Sequence, residues 1–160
     1  MKNGILISLK IVMVFVIAIN VTCCSSNKMT FNKEDFDVVM EQDTHGGFHG
    51  DGQYCLVLDC TKNKEQALEN VEEWKKLPLT KNLEMVVYGG EFEGCTYSSF
   101  FSEDIEIPYI ERGYYYFRDR HSESVDSSDD SKLYERYSYN FDFAIYDADN
   151  AMLYYLREDT

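Results

Sequence analysis

The chain has 160 residues and a formal net charge of −14 at pH 7, which argues against binding to nucleic acid or to anionic lipid headgroups. Hydrophobic residues make up 44% and aromatic residues 15% of the sequence, and this apolar content excludes global disorder of the mature protein. After an N-terminal leader, the remaining length suffices for one domain and not for two.

The N-terminus has the features of a bacterial lipoprotein signal peptide. Lys2 supplies positive charge, and residues 11–19 form an unbroken apolar run that is too short for a standard membrane-spanning helix. The following residues resemble a lipobox, in which an apolar residue and small residues precede a cysteine that becomes lipidated. Cys24 is the favoured acceptor because Val21 then occupies the apolar position, and Cys23 is the alternative.

The leader divides the chain into three predicted parts, which are a lipoprotein signal peptide (1–23), a polar tether (24–30) and a single domain (31–160). A lipidated cysteine, carrying acyl chains such as palmitate, predicts a domain anchored at the extracytoplasmic face of the cell membrane. An ordinary signal peptide or an uncleaved N-terminal anchor is the alternative. The expected partners are the membrane, through the lipid, and a protein or small-molecule ligand, but no nucleic acid.

Three cysteines follow the leader, at positions Cys55, Cys60 and Cys95. Cys55 and Cys60 are five residues apart in one predicted strand, so they face opposite sides of it and cannot pair with each other. A disulfide outside the cell would therefore join Cys95 to one of the other two. Three free thiols that act as small apolar core residues are the alternative.

The periodicity of apolar residues predicts an α+β domain. The predicted strands cover residues 36–40, 53–60, 83–88, 114–119, 139–146 and 152–157. Asn63 is a suitable N-cap for an amphipathic helix over Lys64–Lys76, which carries Trp74 on its apolar stripe and ends before Pro78. We therefore expect one antiparallel sheet of about five or six strands with this single helix packed on one face.

Two stretches lack a clear period. Residues 91–106 are expected to pack as an ordered loop or a short strand. Residues 121–131 are acidic and serine-rich, which predicts a mobile loop, and they lack the glycine and the closing glutamate of a calcium-binding loop.

The sequence contains thirteen tyrosines, several of them adjacent. Residues 114–116 and 154–155 send tyrosine side chains to both faces of the predicted sheet. One face belongs to the core, and we expect the helix and the long loop to cover the other. The alternative is an exposed aromatic platform for a sugar, a peptide or another protein.

The candidate site is the glycine-rich stretch 43–52, with the sequence Asp-Thr-His-Gly-Gly-Phe-His-Gly-Asp-Gly. His45 and His49 lie four residues apart, with Asp43 and Asp51 outside them. The favoured interpretation is a structural turn with exposed histidines, in which glycines supply positive φ angles and aspartates cap the backbone. The alternatives are a site for a ligand or partner and, less favoured, a metal site, because glycines argue against the helix that would align the two histidines.

No catalytic constellation can be assembled from the sequence. There is no nucleophile elbow and no phosphate-binding loop, and Cys55 lies in the middle of a strand without a catalytic signature. The sequence therefore favours a binding or accessory module without a cofactor over an enzyme. A metal-dependent or hydrolytic enzyme that uses His45 and His49 is the alternative.

Three motifs resemble those of an uncharacterised family of small lipoproteins from Gram-positive gut bacteria. In that family, a D-x-H-G-G-F-H-G-D-G hairpin precedes a helix that ends near W-x-x-L-P-L, and an N-F-x-x-A-I-Y-D hairpin closes the chain. Here the three motifs are residues 43–52, 74–79 and 140–147. The resemblance covers most of the mature chain and implies no activity.

Overall fold

The computed structural model describes residues 31–46 and 50–160. The predicted signal peptide and tether, with Cys23 and Cys24, lie outside these residues, and so does His49. Within the described ranges, no helix is long and apolar enough to cross a membrane.

The described residues form eight strands and two α-helices. The strands are β1 (Asp37–Asp43), β2 (Gly52–Asp59), β3 (Lys75–Lys76), β4 (Gly90–Phe92), β5 (Cys95–Tyr97), β6 (Gly113–Asp119), β7 (Asn140–Asp147) and β8 (Met152–Asp159). The helices are α1 (Lys64–Val71) and α2 (Lys81–Tyr88). Six strands form one antiparallel sheet in the order β1-β2-β8-β7-β6-β3, and β4 pairs with β5 in a separate hairpin. The α+β class with one antiparallel sheet is confirmed.

The predicted C-terminal hairpin forms the middle of the sheet. Alternating apolar residues place β7 and β8 side by side, with Phe143 opposite Leu156 in the register. The turn between them is closed by Asp147, whose Oδ1 accepts hydrogen bonds from the backbone N–H groups of Asp149 and Asn150 at 2.9 and 3.1 Å. β7 is buried on both faces, and β8 is largely buried on both faces along its first half, because each face carries its own covering layer.

The two faces of the sheet support two separate apolar clusters. On the α2-side face, strand residues pack under α2, namely Cys55, Val57, Tyr115, Phe117, Phe141, Phe143, Ile145, Tyr154 and Leu156. On the α1-side face, strand residues pack under α1, namely Leu56, Leu58, Tyr116, Ala144, Tyr146 and Leu153. The adjacent tyrosines of β6 and β8 are thus divided between the two faces, with Tyr115 and Tyr154 buried on the α2-side face and Tyr116 buried on the α1-side face. The expected cover of the α1-side face is incomplete, because Tyr155 is only partly buried.

The cysteines follow this division. Cys55 belongs to the α2-side cluster and Cys60 to the α1-side cluster, which confirms that they face opposite sides. Cys95 is exposed on β5. All three are free thiols in the structure, so neither predicted disulfide is formed.

The first helix is shorter than the prediction of Lys64–Lys76. It ends at Val71, and the chain turns so that β3 can pair with β6 at the edge of the sheet. Trp74 therefore lies beyond the helix, half-buried, with its ring 5.6 Å from that of Tyr116 and 5.7 Å from that of Phe31. Pairing with the sheet and aromatic packing outweigh the helical propensity of residues 72–76.

The strand predicted over residues 83–88 is wrong, because this segment is α2. The Thr80 hydroxyl accepts a hydrogen bond from the N–H of Leu83 at 3.2 Å, and Gly89 ends the helix at a φ of 70°. Its apolar residues contact the sheet at helical spacing, although an unbroken apolar run of this length is also typical of a buried strand. A second helix therefore covers the sheet face opposite α1.

The acidic segment 121–131, predicted as a mobile loop, packs on the domain. His121 and Asp130 are buried, and the N–H of Asp119 donates to the carbonyl of Ser127 at 2.7 Å. The segment is anchored through these few polar contacts, which compensate for its lack of apolar side chains.

Candidate functional site

The glycine-rich stretch connects β1 to β2 and closes through backbone contacts. The N–H of Thr44 donates to the carbonyl of Gln53 at 2.8 Å. Gly50 and Gly52 have φ angles of 74° and 155°, and a Cβ on Gly52 would lie 2.5 Å from the Cα of His45. The need for glycine at these two positions supports the interpretation of the stretch as a turn.

His45 is less exposed than we predicted for a histidine of a structural turn. Its Nδ1 lies 2.6 Å from Oδ1 of Asp43, and its Nε2 lies 3.2 Å from Oδ2 of Asp159. The side chain is only 23% exposed. A protonated imidazole can donate to both carboxylates at once, whereas a neutral ring can donate to only one. His45 thus links the β1–β2 turn to the end of β8.

Asp159 is the meeting point of three basic side chains. Besides His45, it accepts hydrogen bonds from Arg120 Nη1 at 2.6 Å and from Arg157 Nε at 2.8 Å. Burial raises the pKa of the Asp159 carboxyl, but the two guanidinium groups outweigh it and hold the pKa below its usual range. The pKa of Asp43 is also lowered, first by the backbone N–H of His45 and then by its ring. Both carboxylates remain charged at neutral pH.

These residues form one wall of an open cleft of about 680 Å³, which lies between the turn and the C-terminal end of β8. Three lining residues were predicted as site residues, namely Asp43, His45 and Asp51. Gly50 belongs to the predicted stretch 43–52, and Tyr155 is one of the tyrosines considered as an aromatic platform. The others were not singled out from the sequence, namely Tyr54, Asn140, Arg157, Asp159 and Thr160. The structure therefore brings three of the four predicted residues to one cleft, and the fourth, His49, is outside the described residues.

Two tyrosines contribute the aromatic part of the cleft. The rings of Tyr54 and Tyr155 meet edge to face, with centroids 5.9 Å apart. Their hydroxyls donate to Glu41 at 2.7 Å and to Asp142 at 3.2 Å. Burial, followed by the contact with Glu41, raises the pKa of Tyr54 to about 12, and burial also raises the pKa of Tyr155. Both rings are held in place and stay uncharged at neutral pH.

The residues missed from the sequence come from the far end of the chain. Strand β2 pairs with β8, so Gly52 lies opposite Asp159 and Tyr54 lies opposite Arg157. Asn140 is also opposite Asp159, on the other side of β8. The sequence did contain one signal, which is the change from apolar to polar residues at the end of the last strand. However, the strand order determines that this end lies close to the turn, and the sequence does not show that order.

The arrangement does not provide a preformed metal site centred on His45. Each ring nitrogen already has a carboxylate partner, Asp43 at Nδ1 and Asp159 at Nε2. Within residues 31–46 and 50–160, no group of three or more His, Cys, Asp and Glu side chains is placed to hold a metal ion. Cys55 is buried on the α2-side face, and burial raises the pKa of its thiol, which disfavours the reactive thiolate.

Comparisons with known proteins give no family for this chain. No protein-family model, no curated protein and no solved structure matches it.

Proposed function

We propose that this protein is a lipid-anchored binding module at the extracytoplasmic face of a bacterial cell membrane, and that it binds its ligand in the cleft beside His45. The observation that carries the proposal is the fixed set of polar and aromatic side chains around an open cleft. Ligand sites typically combine aromatic contact area with a few polar groups that set orientation. Side chains that are already held in position lose little entropy when a ligand binds.

The salt bridges around Asp159 support this proposal, because they join the end of β8 to the β1–β2 turn through His45 and to the residue after β6 through Arg120 before any ligand is present. Arg120 lies behind the cleft and neutralises Asp159 together with Arg157. Arg157 itself is exposed, and its remaining N–H groups can reach a ligand. The cleft therefore has the construction of a recognition surface, with an inner layer of ion pairs and an outer layer of donors and acceptors.

The anchoring part of the proposal depends on the leader and is tested by removing both thiols. Lipidation needs a thiol, so the double substitution Cys23→Ser, Cys24→Ser should release the protein from the membrane fraction in cells. Cys95→Ser is the matched control, because this cysteine is exposed in the domain and should not affect fractionation. Retention of an uncleaved double variant in the membrane would instead show an N-terminal anchor.

The binding part is tested with the full chain, purified in a sugar-free detergent, and a panel of small molecules followed by thermal denaturation. The panel contains neutral saccharides, amino acids, short peptides, nucleotides and divalent metal ions. We expect one chemical class to raise the melting temperature of the wild type and not of Arg157→Gln. Arg112→Gln is the control, since Arg112 forms a comparable surface pair with Asp149 away from the cleft.

A ligand that stabilises Arg157→Gln as strongly as the wild type would show that binding occurs elsewhere. A panel without any stabilising class would count against a small-molecule binding module. A stoichiometric transition metal that is lost with His45→Ala would favour the metal-dependent alternative.

A further inference from the structure

We infer that a second pocket, between the end of α2 and residues 109–111, binds an arginine side chain of a partner polypeptide. This inference goes beyond the proposed function, because the pocket is separate from the cleft. Leu77, which lines the pocket, donates its N–H to the carbonyl of Gly113 at 3.2 Å, and Gly113 lies opposite Asp147 at the end of β7. The cleft includes Asn140, which is at the other end of the same strand.

Two tyrosine rings form the aromatic part of this pocket. Tyr88 ends α2, and its hydroxyl donates to the carbonyl of Pro108 at 3.3 Å and accepts from the N–H of Ile110 at 3.1 Å. These two hydrogen bonds hold the ring in place. Its centroid lies 5.7 Å from that of Tyr109, which is 73% exposed. An exposed tyrosine ring adds little to the core, but its face attracts a cation.

The charged side chains that line the pocket are both acidic. Glu84 lies on α2 and Glu111 follows the tyrosine segment. Neither carboxylate has a hydrogen bond or an ion pair with another group of residues 31–46 and 50–160, so both can accept from a ligand. Burial is the main reason that the pKa of Tyr88 is raised, and the carboxylates of Glu84 and Asp147 add to this effect. The tyrosine hydroxyl thus lies in a negative field.

No basic side chain of the described part of the chain lines this pocket. Arg112 follows Glu111 in the sequence, but its guanidinium pairs with Asp149. Lys76 lines a neighbouring pocket together with Arg112. The net charge of −14 adds a long-range attraction for basic partners, which the two glutamates then concentrate at one place.

The shape of the aromatic surface favours guanidinium over other cations. A planar guanidinium can stack on a tyrosine ring and donate from its edge to carboxylates on more than one side. The ammonium group of lysine is more strongly hydrated, so it gains less at an open site. Quaternary ammonium groups are bound by aromatic cages. The planes of Tyr88 and Tyr109 are only 34° apart, so they form a surface for stacking and do not enclose a ligand.

The size and the border of the pocket suit a side chain that a polypeptide presents. The volume of about 310 Å³ is at the lower end of the range for small-molecule sites. Leu77, Pro78 and Leu79 form an apolar border along one side, on which the neighbouring residues of a partner can pack. Tyrosine and arginine are also enriched at the centres of protein–protein interfaces.

The experiment titrates the full chain, in an uncharged detergent, with three blocked peptides Gly-Gly-X-Gly-Gly and follows amide chemical shifts by NMR. X is arginine, lysine or citrulline, which has the size and planar end of arginine but no charge. Tetramethylammonium is the fourth probe. We expect the arginine peptide to bind with a millimolar or lower dissociation constant and to shift the amides of residues 109–111. The citrulline peptide should bind at least about tenfold more weakly, and the lysine peptide should also bind more weakly.

Two variants test whether such binding occurs in this pocket. Tyr109→Leu removes the exposed ring and Glu111→Gln removes an exposed carboxylate; each should weaken binding of the arginine peptide at least about fivefold. Tyr137→Leu is the control for the ring, since Tyr137 is also exposed. Glu65→Gln is the control for charge, because it removes one exposed carboxylate on α1, at the opposite face of the sheet. Glu111→Gln keeps the test valid if Tyr109→Leu disturbs the local fold.

Equal binding of the arginine and citrulline peptides would overturn the inference, and so would equal losses in Glu65→Gln and Glu111→Gln. Tighter binding of the lysine peptide or of tetramethylammonium would also overturn it and would indicate a different cationic ligand. The proposed function is tested separately, since Arg157→Gln alters the cleft and not this pocket.

Discussion

The two ends of the α1-side face are built on the same strands but differ in character. At one end, Leu58 of β2 and Leu153 of β8 are fully buried under α1. At the other end, the same face of the same strands presents Tyr54 and Arg157, which line the open cleft. The covered end contributes apolar burial to stability, whereas the open end leaves polar and aromatic groups accessible to a ligand.

The length of α1 explains this difference. An eight-residue helix is about 12 Å long, whereas an eight-residue strand such as β8 extends for about 26 Å. The helix can therefore cover at most about half of the face. A helix over the predicted Lys64–Lys76 would be about 20 Å long and could cover far more of it. α1, which ends at Val71, is thus too short to cover this face of β8 from end to end.

The largest expected effect lies at the covered end. Leu153→Ala removes a fully buried side chain between α1 and the sheet and should lower the free energy of unfolding by about 2–5 kcal/mol. Arg157 lies on the same face of β8, four residues after Leu153. Arg157→Ala should lower the free energy of unfolding by about 1 kcal/mol or less, because this side chain is exposed. Urea unfolding of both variants measures the contrast. Equal losses would mean that the two ends do not differ in their contribution to stability.

The sequence predicted the covered end better than the open end. Alternation in β7 and β8 indicated a hairpin of two strands, and these strands lie where they were expected. α2 was missed because an unbroken apolar run has no period that separates a helix from a strand, although Thr80 and Gly89 are suitable caps. Propensity alone favoured a strand there, because the run contains the β-branched residues Val86 and Val87.

The open end could be predicted only in part, because it depends on contacts between distant parts of the chain. Asp43 and His45 were recognisable from their place among glycines, but Arg157 and Asp159 join them only through the pairing of β2 with β8. The partial burial of His45 has the same origin, since its Nε2 partner is 114 positions away in the sequence. Local patterns contain no information on such pairing.

The next largest effect concerns the glycines of the turn. Gly52→Ala should cost at least about 1 kcal/mol, because the new Cβ would lie 2.5 Å from the Cα of His45 at a φ of 155°. Gly46→Ala is the matched control in the same turn. Its Cβ would meet nothing closer than the Thr44 carbonyl oxygen at 3.9 Å, and we expect a change within about 0.5 kcal/mol. Thermal or urea unfolding that ranked the two glycines in the opposite order would contradict the turn geometry.

A smaller effect is expected for the link between the turn and β8. His45→Ala should lower the free energy of unfolding by about 1 kcal/mol, because two carboxylates lose a partner at a site that is only partly exposed. An exposed histidine would change it by less than about 0.5 kcal/mol. A double-mutant cycle with Asp159→Asn isolates the contact across the cleft. A coupling energy of zero would show that His45 does not hold the turn to the sheet.

The smallest effect is a pH dependence that distinguishes two neighbouring residues of β8. Asp159 faces the cleft, where burial raises its pKa but Arg120 and Arg157 lower it more, so the native pKa lies below the ordinary 3.8. Glu158 lies on the other face, where burial raises its pKa above the ordinary 4.5 despite a hydrogen bond from Gln53. The two carboxyls should therefore affect stability with opposite signs as the pH changes.

Asp159 contributes stability above its ordinary pKa of 3.8 and loses this contribution as the pH falls through its lower native pKa. Glu158 stabilises the folded state below its ordinary pKa of 4.5, and this contribution is lost as the pH rises through its raised native pKa. Urea unfolding should show that Asp159→Asn reduces the loss of stability as the pH falls below 3.8. Glu158→Gln should instead remove a loss of stability as the pH rises above 4.5. Identical pH profiles of stability for the two variants would mean that the pKa values of Asp159 and Glu158 are not shifted in opposite directions.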